Sequence, residues 1–296
     1  MELGGPAMTD ELEHHLSEGE CLAIIKATET DNLLVVGGQS IFIWSEMYAA
    51  KSDWLANNTP TSGDIDFMRN DKASQNLAAH YQVPLIKPKG DDSTVSDARV
   101  NVPLNGRHVI VDFMRSVYGV ADKELEKRAV VIDLGVSSGD GKTLAFRIMH
   151  PFDCLVSRLS NVNGPMRRID SHSRTQTEAS LHVLKCHIDT LIEDGKPNEA
   201  CKYLQALEYV VKNNHLGKNS HRLFGKTVDP IALLTSFLDD GRLHPKWREK
   251  TLGPIIERLT ETRNKKIERD LASGQKFPGY RETIPVAVPD APQLAV

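Results

Sequence analysis

The spacing of hydrophobic residues divides the chain into two main parts. Up to about residue 150, short apolar runs bounded by turn residues predict strands with a few helices between them. From Pro151 to about residue 270, apolar residues recur at the three- and four-residue spacing typical of helices. We therefore expect an α+β domain at 1–150 with a mixed sheet and flanking helices, a helical domain at 151–275, and an extended proline-containing tail at 276–296.

These patterns predict individual elements. In the first part they give helices at 9–28, 39–50 and 71–81, and strands at 32–36, 64–68, 83–86, 98–104, 108–114, 129–135 and 143–149. In the second part they give helices at 151–162, 173–194, 197–213, 229–239 and 246–272. Thr9 or Asp10 is the expected cap of the first helix and Asp71 that of the third, and residues 57–63 are expected to form a loop. Asn105-Gly106 is a strong signal for a two-residue hairpin turn.

The strand at 64–68 carries the first candidate chemistry. Side chains alternate along a strand, so Asp64 and Asp66 point to the same face. Two neighbouring carboxylates repel each other, and a cation is needed to hold them together. Carboxylate oxygens are preferred ligands of Mg²⁺ or Mn²⁺, so this pair is a candidate metal site.

Two further features extend this candidate site. Gly37 and Gly38 follow an apolar strand and begin a helix, where backbone amides and Ser40 could hold a phosphate. Asp112 lies inside an otherwise apolar strand, and such a residue is costly to bury unless it is paired or binds a metal. A phosphate cradle beside an acidic cluster is typical of phosphoryl-transfer chemistry.

In these residues the chain resembles the nucleotidyltransferase superfamily of the DNA polymerase β type, whose pattern is a Gly-Gly or Gly-Ser pair, then Asp-x-Asp, then a lone Asp on a later strand. Within it, the chain is most similar to the AbiEii-type toxins and minimal nucleotidyltransferases. The motifs cover about residues 30 to 120, with a weaker likeness to about 190. The resemblance implies the nucleotidyltransferase fold for the mixed sheet, with Asp64, Asp66 and Asp112 as catalytic and metal-binding residues.

The resemblance also assigns a donor site. Related toxins carry a lysine on the helix that begins the second part, and Arg158 stands at the matching position, where it would contact the triphosphate. With Gly37, Gly38 and Ser40 it forms the expected nucleotide-binding set. Relatives carry a basic residue and an Asp in the next turn, which Arg167 or Arg168 and Asp170 match loosely.

Composition and charge favour a globular cytoplasmic protein. Residues 1–150 carry 14 Lys and Arg against 22 Asp and Glu, whereas residues 151–296 carry 22 against 18. No apolar run reaches the ~18 residues that a membrane span needs, the N-terminus is acidic, unlike a secretory signal, and the four dispersed cysteines are expected to be reduced. The basic second half, above all helix 246–272, is either a nucleic-acid face or an ordinary solvated surface.

The expected function is a Mg²⁺-dependent transfer of a nucleotidyl group from NTP to an acceptor hydroxyl. The resemblance implies an RNA, such as a tRNA 3′ end, or a protein as acceptor, and an antitoxin as partner if the protein is a toxin of a toxin–antitoxin system. Two alternatives stay open. One is a small-molecule nucleotidyltransferase of the antibiotic-modifying kind, and the other is a module of the same fold that binds nucleic acid or a partner without catalysis.

Overall fold

The computed structural model describes residues 16–29, 33–58, 60–89, 94–137, 143–163, 170–213, 220, 224–225 and 227–274. The chain divides into two compact units. The first comprises Met1–Met47 and Thr59–Cys154, and the second comprises Tyr48–Asn58 and Leu155–Val296. A short segment from the first half of the sequence therefore belongs to the second unit.

The first unit is built on a seven-stranded mixed sheet. Its strands are β1 (Leu34–Val36), β2 (Asp64–Met68), β3 (Leu85–Ile86), β4 (Ser96–Leu104), β5 (Arg107–Met114), β6 (Val130–Ser137) and β7 (Thr143–Ile148). The spatial order is β3-β4-β5-β2-β1-β7-β6. The β2–β5 and β1–β7 pairs are parallel and the other four are antiparallel. The predicted α+β class with a mixed sheet and flanking helices is confirmed.

One face of the central strands is apolar and the other is polar. Ile65, Phe67, Val111 and Phe113 are at most 1% exposed, and the rings of Phe67 and Phe113 lie 5.6 Å apart. The residues between them on β2 and β5 point the other way, which places Asp64, Asp66 and Asp112 on one face. Burial of the apolar face thus fixes the register that presents the carboxylates.

The helices of this unit are α1 (Glu18–Ala27), α2 (Gly37–Tyr48), α4 (Asp71–Tyr81) and α5 (Asp122–Arg128). Helix α1 begins at Glu18 and not at residue 9, because Ser17 and Glu20 form a capping box, while Thr9 and Asp10 lie outside the described residues. The expected cap of α4 was wrong by one position. Asn70 has an extended backbone and accepts from the Ala73 amide, so Asp71 is already the first helical residue.

The second unit consists of helices. They are a 3₁₀ turn (Ala49–Lys51), α3 (Asp53–Asn57), α6 (Pro151–Asn163), α7 (Ser171–Glu193), α8 (Pro197–Lys212), α9 (Pro230–Thr235), α10 (Pro245–Trp247), a π-helical turn (Arg248–Leu252) and α11 (Gly253–Ala272). The first four residues of α6 belong to the first unit. The loop predicted at 57–63 overlaps α3 only at Asn57, but α3 itself was not predicted. The predicted helix at 246–272 is interrupted before Pro254, which has no amide hydrogen to continue the α-helical ladder.

Candidate active site

The three predicted carboxylates lie on adjacent strands. Asp66 and Asp112 are register partners on the parallel strands β2 and β5, and Asp64 lies two residues before Asp66 on the same face. Asp64 is exposed, Asp66 is half-buried and Asp112 is 8% exposed. The structure therefore brings these three side chains to one face of two neighbouring central strands.

Asp112 is held by an arginine that the sequence motifs did not single out. Arg99 on β4 is the register partner of Asp112. Its Nε and Nη2 each donate to one carboxylate oxygen of Asp112 at 2.9 Å, and Ser96 Oγ donates to Oδ1 at 3.0 Å. The pKa of Arg99 is raised. The largest cause is the hydrogen bond to Asp112, and the negative charges of Asp112, Asp64 and Asp66 contribute less. The chain thus supplies a guanidinium where the sequence alone predicted a metal ion.

The carboxylate cluster does not form a metal site among the described residues in this conformation. Within the described part of the chain, no group of three or more His, Cys, Asp or Glu side chains is arranged to hold a metal ion. Asp64 accepts from Ser62 Oγ at 2.9 Å, and both oxygens of Asp112 are bonded to Arg99. Asp64 and Asp66 have the oxygen chemistry that suits Mg²⁺, whereas both oxygens of Asp112 already accept hydrogen bonds from Arg99.

Gly37 joins strand β1 directly to helix α2. Its φ of +68° is strained for other residues, and a Cβ built on it would lie 2.2 Å from Asp66 Oδ2. The group that lies close to Gly37 is therefore the carboxylate of Asp66. The first turn of α2 contains no acidic residue of its own, so Asp66 supplies negative charge beside the helix N-terminus.

Ser40 points away from any open surface. It is 0% exposed, and its Oγ donates to the Val35 carbonyl at 3.0 Å. Gln39 is 1% exposed and its Nε2 donates to Cys21 Sγ at 3.0 Å. In this conformation the side chains of Gln39 and Ser40 both make contacts inside the unit.

Arg158 lies on α6 in the second unit. Its Nη1 donates to Gln176 Oε1 at 2.7 Å, and Gln176 Nε2 lies 2.8 Å from His172 Nε2. Arg167 and Arg168 lie outside the described residues. Asp170 caps α7 by accepting from the Ser173 amide at 2.7 Å. The structure thus gives Arg158 and Asp170 contacts within the helical unit.

Several basic residues of the last predicted helix contact other protein groups. Arg248 donates to the Leu238 and Leu243 carbonyls, Arg258 pairs with Glu208, and Lys265 pairs with Glu261. Such pairing favours the solvated-surface interpretation for this part of the helix.

The remaining sequence expectations concern cysteines and membranes. Cys21, Cys154, Cys186 and Cys201 are free thiols. Among the described residues, no helix combines the length and the apolar character that crossing a membrane requires. Comparison with protein-family models, with curated proteins and with solved structures finds no match to this chain.

Proposed function

We propose that this protein is a metal-dependent nucleotidyltransferase that moves a nucleotidyl group from NTP to an acceptor hydroxyl. The observation that supports this best is the contact between Gly37 and Asp66. It joins the glycine turn at the start of α2 to the acidic strand β2, with Asp112 one strand away. Three separate sequence features thereby meet on one sheet face.

The residues have separate roles in this proposal. The amides at the start of α2 bind the phosphates of the donor. Arg158, in the second unit, is assigned to the triphosphate by the family resemblance alone. Asp64 and Asp66 would hold Mg²⁺, which would supply positive charge to neutralise the triphosphate. Asp112, once released by Arg99, accepts the proton of the acceptor hydroxyl. The acceptor oxygen then forms a bond to the α-phosphorus, and pyrophosphate leaves.

Donor binding gives a direct test. Calorimetry with each NTP should show weak binding in EDTA and much tighter binding in Mg²⁺ or Mn²⁺, because the carboxylates repel a bare triphosphate. Asp64→Asn should remove the metal dependence, whereas Asp71→Asn, at an exposed helix start, should retain it. Arg158→Ala should weaken NTP binding, and Arg158→Lys should restore much of it. Equal NTP affinity with and without EDTA would contradict the metal site.

The acceptor is identified by transfer itself. Incubation with α-labelled NTPs and total RNA, total protein or an aminoglycoside should label one class, and Asp66→Asn should abolish the label. RNA labelling would support the predicted tRNA-type acceptor and would justify a search for an antitoxin partner. Labelled aminoglycoside would support the small-molecule alternative.

One observation favours the non-catalytic alternative. Arg99 bonds both oxygens of Asp112, so a module that only binds a partner would need no ion at this position. Metal-independent binding of NTP or RNA without any transfer, unchanged in Asp66→Asn, would support this second function.

A further inference from the structure

A cavity of about 320 Å³ lies within the helical unit, far along the chain from the carboxylate cluster. It is formed by the end of α8, the start of α9 and one face of α11. Its walls consist of Val211, Lys212, Ser220, Gly225, Val228, Asp229, Pro230, Ile231, Leu259, Thr262, Arg263, Lys266 and Arg269. We call it the cationic pocket.

The cationic pocket combines an apolar wall with a basic one. Valine, proline, isoleucine and leucine side chains supply the apolar part, while four Lys and Arg residues face a single carboxylate. The α11 residues lie at positions 259, 262, 263, 266 and 269, which is the spacing of one helix face. A volume near the lower end of the ~300–1,000 Å³ range of small-molecule sites fits a compact ligand better than a polymer.

The single carboxylate in the pocket is already used by the protein. Asp229 Oδ1 accepts from the Ile231 amide at 2.9 Å, and Oδ2 accepts from Arg263 Nη1 at 2.5 Å. Arg263 Nε is buried and has no hydrogen-bond acceptor among the described residues. Lys212, another of the four cations, is paired with Glu208 outside the pocket. With both Asp229 and Glu208 counted, the described lining residues still carry more positive than negative charge, and Arg263 Nε is a buried donor that an anionic oxygen would satisfy.

We propose that the cationic pocket binds a small organic phosphate with a compact apolar ring, of the nucleoside monophosphate class. The doubly charged phosphate would contact Lys266, Arg269 and the Arg263 guanidinium, whose forked donors match phosphate oxygens. The ring would pack on Ile231 and Leu259. Several cations favour a phosphate over a singly charged carboxylate. This inference is independent of the proposed transferase function and needs no metal.

Calorimetry on the full chain in EDTA tests this with AMP, adenosine and inorganic phosphate. AMP should bind to one site. Adenosine, which lacks the phosphate, and inorganic phosphate, which lacks the ring, should each bind at least about tenfold more weakly. Absence of AMP binding, or adenosine binding as tightly as AMP, would overturn the proposal. Asp64→Asn should leave AMP binding unchanged. Loss of binding in that variant would place AMP in the first unit instead.

Neighbouring lysines supply a matched pair of variants. Lys266 lines the pocket, whereas Lys265 is exposed and pairs with Glu261. Lys266→Gln should weaken AMP binding by about fivefold, the effect of losing one charge contact, and Lys265→Gln should change it less than about twofold.

Thr262→Tyr, an exposed position on the pocket wall, should block AMP sterically without disturbing the core. Equal losses in both lysine variants, or full binding in Thr262→Tyr, would exclude this pocket.

Discussion

At the scale of single residues, Arg99 supplies positive charge that compensates the carboxylate cluster. It is about half exposed, while Asp112, to which it is bonded, has a side chain that is 12% exposed. A partly buried carboxylate with both oxygens bonded to one guanidinium is a stronger interaction than a typical surface pair. Arg99 is therefore the group with which a metal ion would compete.

Replacing Arg99 with leucine measures that competition. In EDTA, Arg99→Leu should lower the free energy of unfolding by about 1–2 kcal/mol, because Asp112 loses its cationic partner beside two like charges. Mg²⁺ should restore part of this loss, since an ion can then occupy the vacated position. Urea unfolding with EDTA and with Mg²⁺ gives both values. Arg115→Leu is the control, because Asp97 keeps Arg69 as a second partner. If Arg99→Leu gains no more from Mg²⁺ than the wild type, the cluster does not bind the ion.

Gly37 gives a second prediction at this scale. Gly37→Ala should destabilise the fold by about 1–3 kcal/mol, because the positive φ costs about 1–2 kcal/mol for alanine and the new Cβ must displace Asp66. Gly19 lies inside α1, and a Cβ added there would have nothing within 4 Å, so Gly19→Ala should be neutral or slightly stabilising. Thermal unfolding of both variants tests the difference. Unchanged stability in Gly37→Ala would show that β1 and α2 adjust freely.

The sequence also predicts a contact of this site that its motifs do not indicate. The Asn105-Gly106 turn pairs Leu104 with Arg107, and counting back along both strands pairs Arg99 with Asp112. Alternation on β4 also places Arg99 on the face of the carboxylates. The partner of Asp112 could therefore have been predicted, whereas the burial of Ser40 could not, because it depends on how α2 packs in three dimensions.

At the scale of elements, hydrophobic spacing identified the long segments and missed the short ones. Strand β2 has the predicted bounds, and helix α4 ends where predicted but begins one residue earlier than its expected cap implied. Helices α7 and α8 differ from their predictions by at most two residues at either end. Helix α5 was missed because it is almost entirely charged and buries only Leu125, which leaves no periodic pattern. Helix α3 has five residues, too few for a helical period to be recognised.

The packing of α7 makes the stability of its unit depend on pH. Tyr48 Oη lies 3.1 Å from His187 Nδ1, and burial lowers the pKa of His187 to about 4. Since the unfolded side chain has a pKa near 6.5, the unfolded state binds more protons between these values, and stability falls as the pH falls from about 6.5 to about 4. The full loss is on the order of 3 kcal/mol. The lowered pKa of His182 acts in the same direction.

His187→Gln separates this contribution from that of the other titrating groups. Glutamine keeps a hydrogen-bonding group near Tyr48 but does not titrate, so the unfolding free energy of the variant should change less steeply between pH 6.5 and pH 4. Urea unfolding at several pH values in this range compares the two slopes. Parallel slopes for wild type and variant would mean that His187 is protonated in the folded state as readily as in the unfolded one.

At the scale of the whole molecule, the chain enters the second unit twice. Residues 48–58 belong to it although the sequence around them belongs to the first unit. Trp54 stacks on His182 with ring centres 4.6 Å apart, Lys51 pairs with Glu193 at 2.7 Å, and Leu55 is 0% exposed. No shift in composition marks the ends of residues 48–58, so hydrophobic spacing could not predict that they belong to the second unit.

A cut at residue 150 should therefore leave the helical part incomplete. We expect fragment 151–275 to be less stable than the same fragment carrying residues 48–58 on a flexible N-terminal linker. The difference should be about 2–5 kcal/mol, the usual effect of removing a buried leucine, because the shorter fragment loses Leu55 together with the Trp54 stack. Urea unfolding followed by circular dichroism compares the two fragments. A linked fragment with Trp54→Ala and Leu55→Ala is the control, and it should return to the stability of 151–275. Equal stability of the two original fragments would mean that residues 48–58 contribute nothing to the helical unit, and that the segment 151–275 folds as an independent domain.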